Sequence, residues 1–373
     1  MKSRDYSNAT LTIDLSALAS NYRLLVDKFS GRHVGAAVKA DAYGIGVERA
    51  AQTLYAGGCR TYFVASLDEG VELRGILGPG PEVYVFEGVS AGRGDVFTAN
   101  DLRPVLNHLG QIATWVEHAS AVSKPLAAAL HVDTGMSRLG LPGQELDTLL
   151  AEPERLAGID LKLVMSHLIC GDEADNPSNG DQLRAFNQIQ QQFPDVEASF
   201  ANGAGILLGP DYHFDVGRAG LALYGGNPIP SLPNQMSEVI QIKAKIAQVR
   251  EIDSPQTVGY GATHRAMGPA RIATVPVGYA DGYPRSLGNK GFAVIDGVRV
   301  PVAGRVSMDM ITLDVTAVAP EKAAPGCEVE LLGGSVSPVE LAEAAGTVDY
   351  ELLTRIGSRY HRRYVDTKSS GNS

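Results

Sequence analysis

Residues 36–46 read AAVKADAYGIG: an apolar run, Ala36-Ala37-Val38, delivers Lys39, and the chain then turns through Asp41, Tyr43, Gly44 and Gly46. A charged ammonium is costly to bury, so a lysine at the end of a buried strand raises the question of its purpose. Other polar residues hold matching places. Arg138 ends DTGMSR (133–138) after one apolar run, Ser166-His167 closes LKLVMSH (161–167), Asn202-Gly203 follows EASFA (197–201), and Arg218 follows HFDVG (213–217). Taken singly, each has a bland reading as a solvated strand end, a satisfied core histidine or a surface ion pair. Together, at the ends of successive apolar runs, they point to one site.

The glycines narrow its ligand. NGAG (202–205) and RAG (218–220) permit close backbone approach and leave amides to meet an anion, as at a helix N-terminus. No GxxxxGK[ST] occurs, and no GxGxxG follows a strand, so the nucleotide-binding signatures are missing. A small phosphorylated ligand beside a strand-end lysine remains. Pyridoxal phosphate fits, because its aldehyde forms a Schiff base with a lysine amine.

Positioning these residues requires a particular architecture. Eight apolar runs read as strands: HVGAAV (33–38), YFVAS (62–66), EVYVF (82–86), RPVLN (103–107), LAAALHV (126–132), LKLVMSH (161–167), EASFA (197–201) and HFDVG (213–217). Most are apolar on both faces, as parallel strands covered on each side must be. DEGVELRGIL (68–77) and DQLRAFNQIQQQF (181–193) read as intervening helices. Near the start, Leu15, Leu18, Tyr22 and Leu25 share one helical face, with Ser16 as the expected cap. The expected fold is an α/β TIM (β/α)8 barrel, whose chemistry gathers at the C-terminal ends of its strands. A doubly wound open sheet is the alternative, since Asp215 and Gly217 dilute the last strand.

YGGNPIPSLPNQ (224–235) is rich in Pro and Gly and marks a boundary. The barrel domain is expected at 1–235, its first residues pairing with a mostly β C-terminal domain at 236–373. In the latter, 240–246 alternates with period two, Asp296-Gly297 signals a hairpin within 292–315, and short helices are expected near 338–357. The tail SSGNS is expected to be disordered.

Across 373 residues the net charge is −10, which argues against nucleic acid or an anionic membrane as partner. The opening residues form no secretory signal and no apolar stretch is long enough to span a membrane, so a cytoplasmic protein is expected. Cys59, Cys170 and Cys327 form no disulfide framework or CxxC pair, and the eight histidines show no ligand spacing; no metal is expected.

AVKADAYGIG resembles the pyridoxal-phosphate signature of alanine racemases. The likeness extends through VASLDEGVELR, HVDTGMSRLGL, RAGLALYG, VGYGATH, VGYADGYPR, GRVSMDM and DYELLTRIGSR, in family order over nearly the whole chain. The resemblance implies that Lys39 carries pyridoxal 5'-phosphate and acts as one base, with Tyr260 as the second on the opposite face of the substrate. It implies substrate contacts for Arg138 and Met308. The phosphate shell falls to Tyr43, Gly203, Gly220, Leu221 and Tyr350, with Asn202 among the cofactor-binding residues. Arg218 faces the pyridine nitrogen and His167 packs on the ring. Tyr279, Arg285, Arg305, Asp172 and Asp309 match a substrate corridor. Because the family's tyrosine comes from the other subunit, a homodimer with shared active sites is implied, as is supply of D-alanine to peptidoglycan.

Three positions depart from the pattern. His131 stands where many racemases carry a carbamylated lysine, so a chloride or carboxylate is expected to orient Arg138. Gly203 replaces a phosphate-binding serine, and Ser199 replaces a histidine supporting the arginine at the pyridine nitrogen. Cys170 is expected to be an inert small residue. Competing readings are a serine-preferring or broad-specificity racemase, an amino-acid decarboxylase sharing barrel and lysine, and a non-enzymatic cofactor carrier.

Overall fold

A computed structural model of the chain describes residues 7–366. The tail expected to be disordered, 369–373, lies outside the described residues. The chain divides into two compact units, one comprising Leu18–Ala42 and Gly46–Ser237, the other Tyr43–Ile45 with the segments up to Ala17 and from Glu238 onward.

Strand β1 (Ala9–Asp14) runs into the helix Leu15–Lys28. Leu15, Leu18, Tyr22 and Leu25 are buried, as their spacing requires. The cap is Asp14 rather than Ser16: its Oδ1 accepts from the amides of Ser16 and Ala17 at 2.9 and 3.0 Å, and from the Ser16 hydroxyl. A carboxylate satisfies two orphan amides and meets the positive end of the helix dipole, so it outcompetes a hydroxyl one residue later.

The first unit is built on β2 (His33–Ala37), β3 (Thr61–Val64), β4 (Glu82–Val85), β5 (Arg103–Leu106), β6 (Leu126–His131), β7 (Ile159–Met165), β8 (Glu197–Ser199) and β9 (Val216–Ala219). All their pairings are parallel, in the order β8-β7-β6-β5-β4-β3-β2-β9. The two ends meet. The Arg218 amide donates to Ala201 O at 2.9 Å and the Asp215 amide to Ala198 O at 3.0 Å, with a parallel bridge between Asn202 and Arg218. The sheet is therefore closed, a (β/α)8 barrel and not the open alternative. Aromatic rings pack across neighbouring strands, Phe63 stacking on Tyr84 and on Phe86 at 5.3 and 5.5 Å between ring centroids.

The last strand differs from its expected position. HFDVG reads as extended, but β9 begins only at Val216, because Phe214 sits at φ 52°, a left-handed conformation that interrupts a strand. Arg218 consequently lies within β9 rather than after it.

In the second unit a six-stranded sheet runs β16-β15-β18-β10-β1-β19, with β10 (Ile240–Lys245), β15 (Phe292–Ile295), β16 (Val298–Pro301), β18 (Glu328–Leu332) and β19 (His361–Val365). β11 (Gln248–Ile252), β14 (Ala270–Val275) and β17 (Ile311–Asp314) form a second sheet, and β12 (Thr257–Val258) pairs with β13 (His264–Arg265). β10 alternates buried and partly exposed residues as its sequence does. Asp296 and Gly297, at φ 48° and 78°, make the tight turn between β15 and β16. Two short helices, Pro338–Ala345 and Asp349–Thr354, complete this mostly β unit.

Candidate active site

Lys39 stands two residues beyond β2, at the start of an unusual turn. Ala40, Asp41, Ala42 and Tyr43 all have φ between 52° and 54°. A left-handed residue other than glycine costs roughly 1–2 kcal/mol, so four in succession need strong local support. Ala42 N donates to Val38 O at 2.9 Å, Gly46 N to Asp41 O at 2.9 Å, Val47 N to Asp41 Oδ1 at 2.7 Å, and Ala40 N to Glu69 Oε1 at 2.7 Å. The turn holds Lys39 half-buried, with Nζ 5.8 Å from the Phe86 ring centroid.

Around the rim the barrel gathers the other polar residues. Arg218 is buried; it donates to Ser199 Oγ, Ser166 O and, at 3.3 Å, His167 Nδ1. Ser199, which also donates to Val216 O, thus supports Arg218 in this chain. A guanidinium only donates, so His167 accepts at Nδ1 and carries its proton on Nε2. Its pKa lies well below the ordinary value, through burial first and then the charges of Arg218, Arg138, His131 and Lys39. Lys39, too, is less basic than a free lysine, chiefly through burial and then through Arg138, with Glu69 opposing. Burial lowers Arg218 to about 9, which leaves it charged near neutrality.

His131 is fixed as one tautomer. Asn107 Nδ2 donates to Phe86 O and Val105 O at 2.9 and 2.8 Å, so its Oδ1 faces His131 Nδ1, 2.9 Å away, and the imidazole donates there. Its pKa falls to about 4 through burial and Arg218, with Asp133 opposing and Arg138 adding to the fall. Arg138 is exposed and makes no hydrogen bond or ion pair among the described residues, so none of their carboxylates orients it. Asp133 spends its oxygens on the loop itself, accepting from the amides of Gly135, Met136 and Ser137 at 2.9, 2.8 and 3.0 Å.

A stability prediction follows from these imidazoles. Both bind protons more weakly folded than unfolded, so between about pH 6.5 and pH 4 the unfolded chain holds more protons and stability falls as pH falls. The His131 displacement from 6.5 to about 4 corresponds to on the order of 3 kcal/mol at the acid end of that window. Urea midpoints should therefore drop across it, less steeply in His131→Gln.

The backbone groups at the rim are arranged for an anion. Asn202 caps the helix Gly203–Leu208, its side chain accepting from Gly205 N at 2.9 Å, and Gly220 precedes a 3-10 turn that starts at Leu221. Of the corridor and entrance residues in this unit, Asp172 is exposed and Cys170 partly so.

The remaining candidates belong to the second unit. Tyr260 is 72% exposed on a turn between Gly259 and Gly261, at φ 74° and 72°. A Cβ on Gly261 would lie 3.1 Å from the Arg305 guanidinium carbon, so a cation packs against the residue next to Tyr260. Tyr43 is buried, its phenol pushed up to about 12 by burial, with its ring 6.2 Å from that of half-exposed Tyr350. Met308 and Tyr279 are exposed. Their segments are joined through backbone: Tyr279 N donates to Ser307 O and Ala280 N to Met308 O, both at 3.0 Å. A Cβ on Gly278 would stand 2.4 Å from both carbonyls, so this contact requires glycine. Arg359 clamps the arrangement, reaching both oxygens of buried Asp281 at 2.6 and 2.7 Å and Asp309 at 2.6 Å.

Reading the sequence missed Glu69, Asn107, Asp133 and Arg359. Only Glu69 had a local signal, the capping box Ser66-x-x-Glu69, in which each side chain bonds the other's backbone.

The donor set fits pyridoxal phosphate: a lysine of lowered basicity, a buried charged arginine facing the rim, a neutral histidine beside it, and glycine-headed turns after β8 and β9. The alanine racemase N-terminal domain family matches residues 13–228, and its C-terminal domain family matches residues 239–364. The alanine racemase of Rhodospirillum rubrum is 47% identical over 365 residues, 98% of each chain, and a catabolic alanine racemase of Agrobacterium fabrum is 44% identical over 355 residues, 95% of this chain and 92% of its own. The crystal structure of alanine racemase from Bartonella henselae, with covalently bound pyridoxal phosphate, superposes with a TM-score of 0.93 at 37% identity, covering 96% of this chain and 99% of that one. With both domain families matched in order and the lysine, arginine and histidine gathered on one barrel rim, the chain belongs to the alanine racemase family.

Proposed function

We propose that the chain interconverts L-alanine and D-alanine with pyridoxal 5'-phosphate, using Lys39 and Tyr260 as the two bases. The observation that carries this reading is the convergence at one barrel rim of half-buried Lys39, exposed Arg138, His131 held by Asn107, and buried Arg218 bonded to Ser199, Ser166 and His167. Lys39 would hold the cofactor, Arg218 would face its ring nitrogen with His167 beside it, and Asn202, Gly203, Gly220, Leu221, Tyr43 and Tyr350 would take its phosphate. When bound, it supplies a conjugated system that takes up the electron pair left at Cα as a proton departs.

The chain's residues divide the remaining work. Lys39, less basic than a free lysine, would take a proton from one face of Cα and return it. Tyr260 does the same from the other face, so the substrate need not turn over between the two transfers. Arg138 lies free to meet a carboxylate. Arg218 keeps its charge and so leaves the ring nitrogen without a proton, which disfavours transamination.

Tyr260 reaches solvent rather than the interior of its own unit, which favours a homodimer in which each tyrosine serves the partner's lysine. Among the described residues no helix is long and apolar enough to cross a membrane, in keeping with action on a free amino acid. Supply of D-alanine to peptidoglycan is the physiological role proposed; the relative named catabolic supports a second use of the same reaction, in alanine catabolism.

The test is incubation of purified protein and pyridoxal phosphate with L-alanine, L-serine and L-lysine in parallel, following each D-enantiomer and carbon dioxide. Fastest appearance of D-alanine is expected. Faster racemisation of serine, or release of carbon dioxide from lysine, would replace this reading with one of its competitors.

A further inference from the structure

Lys39 is followed by a strained turn, and one side chain spans from that turn to the neighbouring strand. Glu69 occupies the third position of the helix Leu67–Leu77. Its Oε2 accepts from Ala65 N at 2.7 Å and from Ser66 N at 3.4 Å, the usual duty of a capping-box glutamate. Its Oε1 does something else, accepting from Ala40 N, directly after Lys39, at 2.7 Å. Because β2 and β3 are adjacent and parallel, this one carboxylate ties together the loops leaving both.

We infer that Glu69 is a positioning residue for Lys39, its carboxylate fixing the left-handed turn that presents the amine and keeping a negative charge in the amine's neighbourhood. The inference deepens the racemase reading and rests on it.

Only a carboxylate meets both demands. The two amides approach different oxygens, and a glutamine would turn an NH2 group towards one of them. The charge matters because, among the described residues, the other groups around Lys39 offer no anion. Arg138 repels the ammonium form, His167 is neutral, and the Phe86 ring is a weak partner at 5.8 Å. Among the described residues, Glu69 is the neighbour whose charge favours the ammonium form, against burial and Arg138. It therefore sets how far the basicity of Lys39 falls, while Ala40 N sets where the amine stands.

The experiment titrates Lys39 itself. Full-length protein stripped of cofactor is labelled with trace acetic anhydride across a pH series, and the Lys39 peptide is quantified by mass spectrometry against its own high-pH plateau, which removes differences in accessibility. In Glu69→Gln, the fraction of plateau rate reached at pH 7 should rise at least about threefold, because the amine has lost the carboxylate charge that favours its protonated form. Ser66→Ala removes the capping hydroxyl but not the carboxylate, and should leave that fraction at the wild-type value. A folded Glu69→Gln that titrates like wild type overturns the inference, as does a threefold rise in Ser66→Ala. If Glu69→Gln does not fold, Glu69→Asp, which keeps the charge but is too short to span both amides, should titrate like wild type; a threefold rise there overturns the charge role. Racemisation by the wild type is assayed separately, so failure of the functional reading would show in that assay and not in the labelling.

Discussion

Replacing Lys39 with alanine should lower alanine racemisation by at least about 10⁴-fold, the full range that one acid–base group supplies, with loss of the covalent attachment added to it. The substitution is clean. The Lys39 amine makes no hydrogen bond or ion pair among the described residues, and the left-handed turn is held by backbone atoms of residues 38–47 and by the Asp41 and Glu69 carboxylates. The urea midpoint should therefore match the wild type or rise slightly, since a half-buried amine has been removed. Absorbance of protein mixed with pyridoxal phosphate should also lose the band that the lysine attachment gives. A variant that retains a tenth of the wild-type rate would show that another residue carries the cofactor.

How far the sequence foretold this site depends on the range of the forces involved. The barrel was legible because parallel strands covered on both faces must be apolar throughout, and that demand is written into each run separately. β9 was misplaced by three residues because Phe214, an ordinary β-former, takes a left-handed conformation that tertiary packing imposes. Lys39, His167 and Arg218 were legible for the opposite reason: a charged or polar group closing an apolar run is costly, and the cost shows locally. The groups that hold them were not. Nothing in Asn107 announces that it fixes a histidine 24 positions later, and nothing in Arg359 announces Asp281, 78 positions away. The strain in residues 40–43 is invisible as well, because the sequence ADAY contains no glycine to mark a left-handed turn. Such pairings are set by chain topology, and composition and spacing do not encode them.

The Tyr260 hydroxyl offers the second large effect, and a way to locate it. If Tyr260 is the second base as proposed, Tyr260→Phe removes its proton-carrying hydroxyl and keeps the ring, so racemisation should fall by about 10²–10⁴-fold. Exchange of the Cα hydrogen with deuterated solvent should be lost for one enantiomer only, the one facing the phenol, because Lys39 still serves the other. Equal loss for both enantiomers would contradict a division of labour between two bases. The position of the residue sharpens the test. Tyr260 is 72% exposed on a turn between two left-handed glycines, so the backbone presents it outward. If it serves the partner's lysine, a dimer of one Lys39→Ala and one Tyr260→Phe chain holds one site with both changes and one with neither. Random reassociation of an equal mixture makes half the dimers hybrid, so about a quarter of the wild-type activity should return. If lysine and tyrosine instead act within one chain, every site in the mixture carries one change, and subunit exchange, verified by mass spectrometry, would restore nothing.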